Sequence, residues 1–76
     1  MAIPIGRRIL AARQARGMSQ KFLAKQAELS PAGVRRIEME QVSPQFKHVE
    51  ALAQALGIPL VELCRTEERV NVLSAL

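Results

Sequence analysis

Aspartate, tryptophan and tyrosine are absent from this 76-residue chain, and cysteine and histidine occur once each. Without aspartate no Ser/His/Asp set can be assembled. His48 has no Cys, Asp or second His at ligand spacing, which argues against a metal site. The glycines form no phosphate-cradling loop, and no paired carboxylates stand out as a general acid and base. An enzyme is therefore not expected, and no cofactor is implied. The lone Cys64 excludes an intramolecular disulfide and a disulfide-stapled secreted scaffold. A reducing cytoplasm is the natural setting for a lone cysteine. Phe22 and Phe46 are the only aromatic residues. That scarcity argues against stacking on single-stranded nucleic acid. No apolar run reaches transmembrane length. Ile3 and Ile5 precede Arg7 and Arg8, the reverse of the basic-then-apolar order of a signal peptide.

What is present favours helices. Hydrophobic residues make up 49% of the chain, mostly Ala, Leu, Ile and Val, a composition suited to helix rather than sheet. The length allows one small domain, which must bury most of this material. Charge is split along the chain. Residues 1–36 hold eight Arg and Lys against Glu28 alone, whereas residues 37–76 hold three against six Glu, for a net charge of +4. A basic first half points to a polyanion partner on one side.

Helical spacing and punctuation divide the chain into five segments. A first helix is predicted over residues 5–16, with Pro4 near its start, Ile5, Ile9 and Ala12 facing inward, and Arg7, Arg8 and Gln14 facing out. Gly17 stops it. Ser19 caps a second helix with Leu23, Ala24 and Ala27 as its buried stripe. Ser30 caps a third, with Pro31 at the first helical position, Val34 and Ile37 inward, and Arg35 and Arg36 outside. Residues 39–44 form a loop ending at Pro44. A fourth helix over residues 45–56 has Phe46, Val49, Leu52, Ala53 and Leu56 on its apolar face and ends at Gly57. Ile58 and Pro59 lead into a short fifth helix reaching Leu63 or Cys64. Beyond it, Thr66 caps a sixth helix with a stripe of Val70, Leu73 and Leu76, or else residues 70–73 pair as an edge strand.

The second and third segments carry the most information. Two short helices, each opened by serine, are separated by a turn of about three residues, the pattern of a helix-turn-helix spanning roughly residues 19–39. Arg35 and Arg36 lie about 100° apart on the third helix, and Arg36 is the better placed to serve as a bidentate donor to guanine, with Arg35 on a phosphate or a second base. Pro31 and Ala32 offer only apolar contacts, such as to a thymine methyl. Apolar residues beyond one small core, among them Leu10, Val61, Val70, Val72, Leu73 and Leu76, predict a two-fold dimer through the fifth helix and the tail at residues 65–76.

Ile5-Gly6-x-Arg8-Ile9, Arg13, Gly17-Met18-Ser19-Gln20, Leu23-Ala24, Leu29-Ser30, Val34, Ile37-Glu38, Pro44 and Leu52-Ala53-x-Ala55-Leu56-Gly57-Ile58 together resemble the phage-repressor and Cro type of helix-turn-helix domain. Bacterial regulators, restriction–modification controller proteins and some antitoxins share this type. The resemblance covers roughly residues 5–64. It implies an all-α, compact five-helix, lambda-repressor-like DNA-binding domain, here with a short C-terminal extension, acting as a homodimer on a double-stranded operator. Gln20 matches a family residue that binds a phosphate. Arg13 and Glu38 match a family salt bridge from the first helix to the end of the third. The implied DNA-binding set is Ser19, Gln20, Lys21, Ser30, Pro31, Ala32, Arg35, Arg36 and Lys47. Glu28 and Glu40 stand where many relatives carry glycine. Either the turns differ here or the glutamates take a left-handed backbone at roughly 1–2 kcal/mol each. Gly33, inside the third helix, is unusual too, costing about 1 kcal/mol relative to alanine. The expected function is a cytoplasmic, sequence-specific transcriptional regulator. The alternative is an antitoxin or adaptor module whose main partner is a protein.

Overall fold

The computed structural model of the chain describes residues 4–64. Among them are five helices and no strand: α1 (Ile5–Ala15), α2 (Gln20–Ala27), α3 (Pro31–Glu38), α4 (Phe46–Leu56) and α5 (Leu60–Cys64). The expectations for residues 65–76, including the sixth helix or edge strand and the dimerising tail, lie outside the described residues.

Local chemistry sets most of the boundaries. Pro4 precedes α1 without a side-chain cap. Gly17 follows it at φ +67°, a left-handed turn that costs glycine little. Ser19 Oγ accepts from the Phe22 N–H at 3.0 Å, and Ser30 Oγ accepts from the Gly33 N–H at 2.9 Å. Each hydroxyl thus satisfies one of the free N–H groups at a helix start. Gly57 ends α4 at φ +72°.

The core runs through all five helices. Ile9, Leu23, Val34, Leu52 and Leu63 are fully buried, one from each helix. Ala24, Ala27 and Ala53 fill the spaces between, their small side chains letting α2 pack against both α3 and α4. α1 lies across α3, α4 and α5. At the α1–α3 contact a β-carbon on Gly6 would collide with the Ile37 carbonyl oxygen, so the absent side chain permits that approach.

Two expectations on burial are corrected. Phe46 shares the periodicity of Val49 and Ala53 but is 63% exposed. It is the first residue of α4, and the helix begins there beyond the reach of the core. Arg8, expected to face out, is half-buried, and its Nε is sealed from solvent with no hydrogen-bond partner. Arg8 lines a cleft between α1 and the start of α5, whose wall also includes Ile58 and Leu63.

The alternatives at Glu28 and Glu40 also resolve. Both adopt left-handed backbone, at φ 59° and 61°. The turns keep a shape that glycine takes at lower cost, and the strain is retained.

Candidate nucleic-acid interface

Helix α3 divides into two faces. Val34, Ile37 and Glu38 are buried, while Pro31, Ala32, Arg35 and Arg36 are exposed. At about 100° per residue, Pro31, Arg35 and Met39 follow one another along the outward face, with Ala32 and Arg36 beside them. Met39 caps the helix and is 58% exposed. It stands where the sequence places the end of the motif and the start of the loop, and its spacing of four from Arg35 puts it on the same face.

Arg35 and Arg36 make no ion pair and no side-chain hydrogen bond among the described residues. Their environments differ. Arg36 borders a cleft of about 300 Å³ between α3 and the start of α4, whose wall includes Ser30, Ser43, Gln45 and His48. Lys47 is exposed as the second residue of α4. Gln45 precedes that helix without a side-chain cap bond, so the first N–H groups of α4 have no side-chain partner. Ser19 and Lys21 are exposed at the start of α2, and Ser30 is exposed at the start of α3.

The inner face of α3 holds its charge differently. Glu38 is 4% exposed. Its Oε2 accepts from Arg13 Nε at 2.6 Å, and its Oε1 accepts from Arg13 Nη2 at 3.1 Å. This is the two-pronged fit of a guanidinium to a carboxylate. Gln20 Nε2 donates to the same Oε1 at 2.9 Å, and Arg13 Nη1 donates to the Met18 carbonyl at 2.8 Å. The Arg13–Glu38 pair therefore ties α1, the α1–α2 turn, the first residue of α2 and the last residue of α3 together. The Gln20 contact was not foreseen. It commits one N–H of a residue assigned to phosphate binding, and leaves its backbone N–H at the start of α2 and its other amide N–H.

Among the described residues no group of three or more His, Cys, Asp or Glu could hold a metal ion. No helix among them is long and apolar enough to cross a membrane.

The helix-turn-helix family model matches residues 9–63. An immunity repressor protein of Bacillus phage phi105 is 41% identical over 67 residues. That match takes in 88% of this chain but 46% of the relative, so the chain spans about half the length of the curated protein it matches. Among solved structures, the restriction–modification controller protein C.AhdI from Aeromonas hydrophila superposes with a TM-score of 0.77 at 33% identity, covering 80% of this chain and 92% of that one. The P22 c2 repressor in complex with a synthetic operator superposes at 0.75 and 26% identity over 80% and 92% of the two chains. These relatives are regulators by name, and none is an enzyme.

Proposed function

The chain belongs to the helix-turn-helix family, and on that premise we propose that it is a cytoplasmic, sequence-specific regulator of transcription. It acts as a homodimer on a double-stranded operator, with α3 in the major groove. The observation that carries this reading is the outward face of α3. Two arginines stand there uncommitted to the fold, beside a proline and an alanine that leave room for close approach. A guanidinium free of internal partners can donate both prongs to guanine O6 and N7. Arg36 takes that role, with Arg35 on a phosphate or a second base. The first turns of α2 and α3, with Lys21 and Lys47, hold the phosphate backbone.

Dimerisation supplies the second half-site. Val61 on α5 is 50% exposed, and Ile58, Leu60 and Leu10 are half-buried. A two-fold axis near α5 and the residues beyond it would set two α3 helices about 34 Å apart on one side of the duplex. The P22 c2 repressor, of similar fold, is known bound to operator DNA, which supports the same use here.

Footprinting on the DNA upstream of the chain's own gene tests the whole reading. A pair of protected half-sites about one helical turn apart is expected. Binding must weaken steeply as salt rises, because each neutralised phosphate releases counterions. A protein that protects no DNA at low salt is not this regulator. A second reading, a module whose main partner is a protein, draws on the exposed Phe22 and Phe46. A mobility-shift assay with that DNA and excess nonspecific competitor separates the two, since the second predicts no band that survives competition.

A further inference from the structure

Among the described residues, two other than glycine have a left-handed backbone, and both are glutamates: Glu28 at φ 59° and Glu40 at φ 61°. A β-carbon makes this region costly. Asparagine and aspartate relieve the cost with short side chains that bond locally, and glutamate does not. Glycine does the same conformational work at Gly17 and Gly57 of this chain. The left-handed turns do close the helix ends, with the Leu29 N–H donating to the Ala24 carbonyl at 2.8 Å and the Gln41 N–H to the Arg36 carbonyl at 2.9 Å. Glycine would make the same bonds without the strain, and the glutamate side chains gain little inside the fold. Glu28 is exposed and makes no ion pair or side-chain hydrogen bond among the described residues. Glu40 lies 3.6 Å from Arg7 in a solvent-exposed pair, an arrangement that contributes little.

What the two share is position. Glu28 ends α2 two residues ahead of the Ser30 cap, and Glu40 follows Glu38, the last residue of α3, by two. They bracket α3. A helix with its side chains is about 10–12 Å across and the major groove about 12 Å wide, so the eight-residue α3 seated there has a phosphate ridge on either side. A carboxylate just past either end of a rod seated in that groove lies within about one Debye length, roughly 8–10 Å, of a phosphate ridge.

Resting on the DNA-binding reading above, we propose that Glu28 and Glu40 are electrostatic brakes on that interface. Each carboxylate opposes the phosphates and lowers affinity for every duplex, whatever its sequence, because neither reads a base. Each also cancels part of the counterion release that the arginines and lysines drive, and so flattens the salt dependence. The result is a domain that holds DNA weakly as a single copy. Occupancy of a site then depends on two copies binding side by side, and so on the concentration of the protein.

Glu28→Gln and Glu40→Gln test this, because glutamine keeps the β-carbon and the strained backbone and removes only the charge. The full chain is titrated onto a short mixed-sequence duplex by fluorescence anisotropy at low and at high salt. At low salt each substitution tightens binding roughly two- to fivefold, the Coulomb effect of one charge at that range in a watery dielectric. The double variant shows the product of the two gains. The gains fade at high salt, and the slope of log affinity against log salt steepens. Thermal midpoints of the glutamine variants stay at the wild-type value, whereas Glu28→Gly shows the same affinity gain with a higher midpoint, since it removes charge and strain together. Wild-type binding with no gain in the glutamine variants, or a gain that persists undiminished at high salt, overturns this inference alone. No binding by the wild type or by the double variant at low salt overturns it together with the DNA-binding reading.

Discussion

The two faces of α3 use charge in opposite ways. On the inner face Glu38 is out of water, and three donors from Arg13 and Gln20 surround it. On the outer face Arg35 and Arg36 are in water with no internal partner. A buried carboxylate must be paired, because an unpaired one costs several kcal/mol in desolvation. An exposed arginine has no such need and keeps its donors for something outside the fold. The contrast teaches where to look for function on a small helical domain. Charge that the fold consumes is structural, and charge that the fold leaves over is available to a partner.

The largest test of this division is Glu38→Ala. It strands the Arg13 guanidinium and frees the Gln20 amide, and the expected loss is about 3–5 kcal/mol of stability by urea denaturation. For a domain of this size that is much of the total. A loss within the range of an exposed substitution would mean the inner face holds no structural charge. Gln20→Ala is expected to cost less, about 1.5 kcal/mol, the lower end for a hydrogen bond to a charged group, because Arg13 still satisfies the carboxylate. If DNA affinity falls while stability does not, Gln20 belongs to the outer face instead. Arg36→Ala should do the reverse of Glu38→Ala. Its thermal midpoint stays put, and discrimination at one base pair of the operator relaxes by about 1–3 kcal/mol, read from a panel of single-base variants. Uniform weakening across the panel would assign Arg36 to a phosphate. The smallest effect belongs to Ser30→Ala, which removes the cap shared by both faces and is expected to cost about 1 kcal/mol in the same denaturation assay.

Much of the fold was legible because its signals are local. Ser19 and Ser30 announce helix starts, Gly17 and Gly57 announce ends, and the stripes of α2, α3 and α4 follow from spacing. The misreadings share a cause. Phe46 fits the stripe of α4, but burial depends on what lies above a residue, and nothing in the spacing reports that. Arg8 reads as an outward charge, yet its Nε is sealed from solvent and the residue lines a cleft shared with α5, more than fifty residues later in the chain. The bond from Gln20 to Glu38 joins residues 18 apart, and neither carries a local mark of the other. The partner of Glu38 was nameable only through family resemblance, since residues 13 and 38 lie in different helices. At Glu28 and Glu40 the sequence left two geometries open, and the chain adopts the strained one.

The outward positions of α3 take no part in the core, and this has a consequence for how such a molecule changes over time. Pro31, Ala32, Arg35 and Arg36 are free to be rewritten without touching the clamp of Arg13, Gln20 and Glu38 that fixes the rod's place. If α3 reads DNA as proposed, the domain is a chassis with an interchangeable address label. On that DNA-binding reading, drift at these surface codons redirects the domain to a new target with little effect on its folding.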